Sequence, residues 1–103
     1  MKNVREIVIE DYLTEQVEAR GGLCEKHTSP GRRGPPDRLI TIPPLGSPNT
    51  PRMDLAETKR PKGGRYSTGQ VRDHERRAEL GIKVWKLHTK EQVDTYIKVV
   101  FGT

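Results

Sequence analysis

The sequence predicts an α/β fold in which a small mixed β-sheet is flanked by helices, with elements in the order α-β-β-β-α-β-α. Apolar residues recur at helical spacing near both ends of the chain, and four short stretches between them have the side-chain pattern of strands. A helix is also expected between the last two strands, and such a crossover makes those strands parallel. The 103 residues are expected to form a single domain, residues 1–103.

The first helix is expected to run from Val4 to about Arg20, because its apolar residues form a broad surface at helical spacing. Asn3 is expected to cap this helix, and Glu6 three residues later completes a capping-box-like pair. Gly21-Gly22 follows the helix. A glycine at this point supplies the left-handed residue that commonly ends a helix.

Three strands are expected next, each bounded by segments rich in proline and glycine. Their expected limits are Leu23–Thr28, Asp37–Ile42 and Arg52–Lys59. The first connection, residues 29–36, is basic, and its prolines exclude helix and interior strand because they lack backbone donors. The second connection, residues 43–51, has the composition of the tip of a long hairpin.

The second helix is expected to run from its cap, Ser67, to about Leu80, with Gln70 completing a capping box and Gly81 closing the helix. The stretch Ile82–Leu87 alternates apolar and polar residues, as a strand with one covered face does. The helix between this strand and the preceding one should make a right-handed crossover.

A last helix is expected after Thr89, its cap, with Gln92 as the capping-box partner. Its apolar residues recur at helical spacing and are Val93, Tyr96, Ile97 and Val100. This stripe should pack against the sheet.

Composition leaves two interpretations of the positive charge open. The net charge is +5 with 32% charged residues, which suggests an anionic partner, most often nucleic acid, but ordinary charge for solubility explains this number equally well. Only 31% of residues are apolar, so the core is thin and a homodimer would add buried surface. A single cysteine, Cys24, excludes an internal disulfide, and three histidines without paired spacing argue against zinc. Without a membrane-length apolar run or an amino-terminal signal pattern, the cytoplasm is the expected location.

The most informative stretch is Met53–Lys59. In a strand, Glu57 and Lys59 share one face, and a neighbouring strand that begins at Asp37 can bring its carboxylate beside Glu57. Two carboxylates and a lysine at adjacent strands suit a hard divalent cation and a phosphodiester. The ordinary alternative is a solvated strand that carries a surface Glu–Lys pair. On either interpretation, Asp54 is expected on a solvated face or near the sheet edge.

These motifs resemble the PD-(D/E)xK nuclease superfamily. The likeness rests on a helix-borne glutamate, Gly31-Arg32-Arg33-Gly34-Pro35-Pro36-Asp37, Glu57-Thr58-Lys59 and Ser67-x-x-Gln70. Within that superfamily the chain is similar to stand-alone VRR-NUC domains of the phage type. Three further features carry this likeness: the helix-to-Gly-Gly junction, the Ser-Pro-Gly-Arg-Arg-Gly loop and the Gln-x-x-x-His-Glu helix. It spans about residues 4–100.

The resemblance implies a restriction-endonuclease-like fold and a structure-specific DNA endonuclease that uses Mg²⁺ or Mn²⁺. It further implies cleavage at four-way (Holliday) junctions, a 5′-phosphate product, a homodimer, and, for a phage protein, action in the cytoplasm of a bacterial host. Asp37, Glu57 and the carbonyl of Thr58 would bind metal, and Lys59 would orient or deprotonate the attacking water. Gln70 would support the site, although its capping role alone would also explain it.

The helix-borne acid is expected to be Glu10, which the resemblance places at the glutamate of junction resolvases by its distance from Gly21. Glu6 is its competitor, but the capping box with Asn3 gives Glu6 a structural role. His74 is expected to be a core-facing histidine. Cys24 and Trp85 are expected in the core or a dimer interface, and His27 is expected to be structural.

Basic residues in the two glycine-containing loops are candidates for DNA binding, because guanidinium groups grip phosphates where glycines let the backbone approach. They are Arg32, Arg33, Lys62 and Arg65. Ordinary exposed charge is the alternative for these four. Two rival functions are a non-catalytic nucleic-acid-binding module and a structural or regulatory partner protein. Within nucleases, linear duplex, flaps and nicks are alternative substrates.

Overall fold

Seven helices and strands make up the described part of the chain. The structure, a computed structural model, describes residues 5–27, 36–44, 52–59 and 65–102. The elements are α1 (Glu6–Glu18), β1 (Leu23–Lys26), β2 (Arg38–Ile42), β3 (Arg52–Thr58), α2 (Thr68–Glu79), β4 (Val84–Leu87) and α3 (Lys90–Phe101). The predicted α/β class and the order α-β-β-β-α-β-α are therefore confirmed. None of the helices in the described ranges is long and apolar enough to cross a membrane.

The four strands form one mixed sheet in the order β1-β2-β3-β4. The first two pairings are antiparallel and β3 pairs with β4 in parallel, as predicted from the crossover through α2. In the parallel pair Glu57 lies opposite Lys86, and Thr58 lies opposite Leu87. The motif strand therefore ends beside the end of β4.

The hydrophobic core lies between one face of the sheet and the helices α1 and α3. Side chains from both helices and the sheet form a single buried cluster that includes Leu13, Ile40, Ala56 and Tyr96. Successive residues of a strand point to opposite faces. On β3, Thr58 faces Glu10 of α1, whereas Glu57 faces His74 of α2. The helix α2 therefore lies on the sheet face opposite the core.

The capping residues predicted for α2 and α3 are largely confirmed. Ser67 accepts a hydrogen bond from the Gln70 amide, and the Gln70 side chain accepts one from the Ser67 amide, so the predicted capping box is confirmed. Thr89 caps α3 as predicted, but the Gln92 side chain accepts from the His88 amide rather than from Thr89. The helix therefore has its cap without a reciprocal box.

The predicted start of α1 is wrong. The helix begins at Glu6, and its capping residue is Arg5, which makes no side-chain capping bond. Asn3 lies outside the described residues. Glu6 therefore occupies the first position of the helix, and the structural reason for setting it aside as a site residue does not hold.

The two glycines that follow α1 are both required by the backbone. Gly21 adopts the left-handed conformation, with φ +86, and a Cβ on Gly22 would lie 2.8 Å from the Thr41 carbonyl oxygen.

The expectation for Asp54 is also wrong. This carboxylate is 8% exposed, because its face of β3 is the face that α3 covers. The Tyr96 hydroxyl donates to Asp54 Oδ2 at 2.8 Å, and Arg52 Nε donates to Oδ1 at 3.0 Å. Bonds to both oxygens offset the cost of burying the charge.

We expect Tyr96→Phe to lower the free energy of unfolding by about 1–3 kcal/mol, because it removes a donor from the buried Asp54 carboxylate. Urea unfolding measures the change. Tyr12→Phe is the matched control, since Tyr12 also donates to an aspartate, Asp94, but in an exposed contact. Equal losses in the two variants would contradict the argument from burial.

Candidate active site

Thr58, the last residue of β3, joins two of the predicted site residues. Its backbone N–H donates to Asp37 Oδ1 at 3.2 Å, and its hydroxyl lies 3.1 Å from Asp37 Oδ2. The same hydroxyl lies 3.3 Å from Glu10 Oε1. A hydroxyl has one hydrogen to donate, so two carboxylates compete for it. Asp37 and Glu10 are thus held within one short region at the end of the motif strand.

Three carboxylates form a cluster beside Thr58. One oxygen from each of Glu6, Glu10 and Asp37 lies within 4.8 Å of the others. Glu6 and Glu10 are four residues apart on α1 and therefore share a helix face. Arg38 Nη2 donates to Glu10 Oε2 at 3.1 Å. The structure thus places both candidate helix-borne acids at the cluster.

Glu57 lies outside that three-residue cluster but is electrostatically coupled to it. Its side chain is 3% exposed, and Oε1 has no hydrogen-bond partner among the described residues. Burial, with a smaller contribution from the charge of Asp37, raises the pKa of Glu57 to about 8. The charge of Lys59 and a hydrogen bond from the Gln70 side chain act in the opposite direction. The Gln70 side chain therefore contacts both the Ser67 amide at the helix cap and the Glu57 carboxyl group.

The other carboxyl groups show the same crowding. Burial raises the pKa of Asp37, while its hydrogen bonds from Thr58 act against that rise. Burial and the neighbouring Glu10 charge raise the pKa of Glu6. The carboxylates of Glu6, Glu10 and Asp37 crowd one another, and the nearby Glu57 Oε1 is buried without a hydrogen-bond partner among the described residues. Such a set of oxygen donors fits a hard divalent cation. The residues present therefore fit the Mg²⁺ or Mn²⁺ implied by the resemblance.

Positive charge approaches the carboxylates from the ends of β3 and β4. The charge of Lys59 lowers the pKa of both Glu57 and Glu6. Lys59 Nζ and Lys86 Nζ lie 5.8 Å and 5.3 Å from the centre of the Tyr66 ring. The predicted lysine is thus in the site. The sequence interpretation missed Lys86, although strand pairing places it opposite Glu57.

His74 is buried, as expected, but it faces the site rather than the apolar core. Its Nε2 lies 4.0 Å from Glu57 Oε1, and it does not belong to the hydrophobic core cluster. The signal in the sequence was its spacing, because residues four apart on a helix share a face and Gln70 was already a candidate.

The other residues predicted from the sequence are the candidate DNA-binding residues and the candidate core residues. Arg32, Arg33 and Lys62 lie outside the described residues. Arg65 is described and exposed, just before α2. The core positions are confirmed: Cys24 is buried in the core cluster, and Trp85 packs against it.

The chain is similar to known proteins over nearly its whole length. No family model matches the sequence. The chain is 36% identical over 91 residues to "Putative nuclease p44" of Acyrthosiphon pisum secondary endosymbiont phage 1, covering 88% of this chain and 90% of that protein. A solved structure described as "VRR_NUC domain" has a TM-score of 0.76 and 30% identity, covering 90% of this chain and 94% of the other. Both similarities span almost the full length of each pair.

Proposed function

This chain belongs to the VRR_NUC domain family and is a nuclease, and from this premise we propose that it is a DNA endonuclease that depends on Mg²⁺ or Mn²⁺. Its proposed substrate is a four-way junction, and its proposed active form is a homodimer. The observation that carries the proposal is the cluster of Asp37 with Glu6 and Glu10 at the end of β3, to which the charges of Glu57 and Lys59 are electrostatically coupled. The likeness to a nuclease relative supports the same chemistry.

The metal ligands in this proposal are Asp37, Glu57, Glu10 and the backbone carbonyl of Thr58. Glu6 joins them as a second helix-borne candidate, since its carboxylate lies in the same cluster as Glu10 and Asp37. A bound divalent cation supplies Lewis-acid polarisation of the phosphodiester and lowers the pKa of water. In the metal-free protein, burial and, to a smaller extent, the charges of the neighbouring carboxylates raise the pKa values of Glu6, Asp37 and Glu57, and a bound cation would favour their ionised forms.

Lys59 has the role of orienting or deprotonating the attacking water and of stabilising the charge that grows on the phosphate. Its positive charge already acts on Glu57 and Glu6 in the free protein. Gln70 holds Glu57 through the hydrogen bond from its side chain. Because Gln70 is itself fixed by the capping box, its amide reaches Glu57 from a rigid helix end.

DNA binding is assigned to the basic groups around these residues. Arg65 and Lys86 are exposed in the described part of the chain, and Arg32, Arg33 and Lys62 complete the proposed set. Each lysine or arginine that neutralises a phosphate releases counterions, so binding should weaken steeply as salt rises. Two copies related by a two-fold axis would place two sites symmetrically on a four-way junction.

The test is cleavage of a labelled four-way junction beside matched linear duplex, flap and single strand, in Mg²⁺, Mn²⁺ or EDTA. We expect junction cleavage in either metal and none in EDTA. Lys59→Ala should lower the rate by about 10²–10⁴-fold, because it removes the proposed acid–base group. Lys98→Ala, which removes an exposed lysine from α3, is the control and should cut like the wild type.

Each of the other possible results would favour one of the alternative functions. Equal cutting of linear duplex would keep the nuclease and remove the junction preference. No cutting, with DNA binding that persists in EDTA, would favour the non-catalytic binding module. Binding that ignores salt concentration would favour a structural partner protein. A solution mass of 11.7 kDa, rather than twice that value, would remove the homodimer.

A further inference from the structure

A buried polar pair lies on the α2 side of the site. His74 is 8% exposed and Glu57 is 3% exposed. Within the described residues, both ring nitrogens of His74 and the Oε1 atom of Glu57 lack a hydrogen-bond partner. Leaving a buried donor or acceptor unsatisfied is unfavourable, because the group has lost its hydrogen bonds to water without replacing them. Two such groups that face one another at 4.0 Å point to a contact that forms in a working state of the site.

The surroundings of His74 hold its ring in place. The Tyr66 ring meets the His74 ring edge-on, with centroids 5.5 Å apart. On the same helix, Asp73 and Arg77 form an ion pair at 2.6 Å, and the capping box fixes the amino-terminal turn. These bonds stabilise the turns of α2 before and after His74. With the ring held, a shift of about 1 Å by the Glu57 carboxylate would bring Oε1 within hydrogen-bonding distance of Nε2.

We propose that His74 is a positioning residue for Glu57, and that its Nε2–H donates to Glu57 Oε1 when the site holds its divalent cation. This inference rests on the proposed function. Gln70 and His74 then approach the same carboxylate from consecutive turns of α2, and together they fix its plane. Each carboxylate oxygen has two lone pairs, so an oxygen that accepts one hydrogen bond still has a lone pair for a cation.

The location of Glu57 explains why such support is needed. Glu10 and Asp37 are both held by Thr58, whereas Glu57 points to the opposite face of β3 and lies outside their cluster. Its carboxylate must therefore be aimed from the α2 side. Outer groups that orient a metal ligand typically contribute 10–100-fold to metal affinity or activity.

The test is Mn²⁺ binding by isothermal titration calorimetry on EDTA-stripped full-length protein, with thermal unfolding and junction cleavage measured in parallel. His74→Ala should weaken Mn²⁺ binding by about 10-fold or more. His74→Gln should bind nearly as the wild type does, because the glutamine amide places a donor close to the position of Nε2. Val71→Ala, an exposed change on the same helix, should leave the affinity unchanged.

The outcomes are distinguishable from failure of the proposed function. Wild-type Mn²⁺ affinity in His74→Ala would overturn the inference, as would His74→Gln being as weak as His74→Ala. If His74→Ala fails to fold, His74→Gln compared with His74→Leu keeps the test, because both fill the space and only glutamine donates. If the wild type binds Mn²⁺ but cuts no DNA, the endonuclease proposal fails, while the affinity series still decides the role of His74.

Discussion

Asp37→Asn is expected to lower the rate of metal-dependent DNA cleavage by about 10³-fold or more, which corresponds to about 4 kcal/mol of transition-state stabilisation. Asp37 contributes a carboxylate to the cluster with Glu6 and Glu10. An asparagine keeps the shape, and its oxygen can still accept from the Thr58 N–H while its NH2 group donates to the Thr58 hydroxyl. It loses the negative charge that binds a cation. The loss should therefore appear as weaker metal binding with the fold intact.

The effect of Asp37→Asn on stability distinguishes a metal ligand from a structural residue. Burial raises the pKa of Asp37, and the Glu10 charge raises it further, so the ionised form is disfavoured in the metal-free protein. Thermal unfolding in EDTA should show Asp37→Asn as stable as the wild type or more stable. Asp11→Asn, the same change at an exposed position of α1, should alter neither cleavage nor unfolding. A destabilised Asp37→Asn protein would indicate a structural role instead.

Stability of the metal-free protein is expected to fall as the pH rises from about 6.5 to 8.5, by about 2 kcal/mol from Glu57 alone. The pKa of Glu57 is raised from 4.5 to about 8 in the folded protein. Between those values the folded state binds a proton that the unfolded state has released. The stability that protonated Glu57 contributes is therefore fully present below the pKa of this group in the unfolded chain. It is lost as the pH rises through the pKa of Glu57 in the folded protein. The lowered pKa of His74 acts below this window.

Urea unfolding in EDTA at several pH values measures the effect. Glu57→Gln should flatten the pH dependence and be the more stable protein at the alkaline end, because it cannot acquire the buried charge. Glu25→Gln, an exposed change on β1, should retain the wild-type slope. Saturating Mn²⁺ should also stabilise the wild type at high pH, since a ligand that binds only the folded state adds to its stability. A wild-type slope in Glu57→Gln would contradict the assignment.

Much of the fold was predictable because its signals are local. The Ser67–Gln70 capping box, the glycine after α1 and the crossover through α2 each follow from a few adjacent residues or from chain connectivity. The start of α1 was not, because Asn3 offered a plausible cap and the helix instead begins at Glu6 with Arg5 before it. That error also led to Glu6 being set aside as a site residue.

Contacts between distant residues account for the rest. Asp54 was expected on a solvated face or near the sheet edge, but it is buried. A charged residue is rarely buried without a partner. Its partner Tyr96 is 42 residues away in the sequence, and no local pattern predicts their contact. The pairing of His74 with Glu57 depends in the same way on how α2 lies on the sheet. The candidate motif residues and their order can be identified in the sequence, whereas the contacts that hold them depend on the packed structure.

The alternation along β3 constrains how this protein can change in evolution. Glu57 and Thr58 are neighbours in the chain, yet one serves the α2 side and the other tethers Asp37 and Glu10. A single-residue insertion or deletion inside β3 would exchange the two faces. It would turn Glu57 toward the core helices and Thr58 away from the carboxylates it holds. Length variation among relatives should therefore be confined to the connections between strands, where added residues cost little.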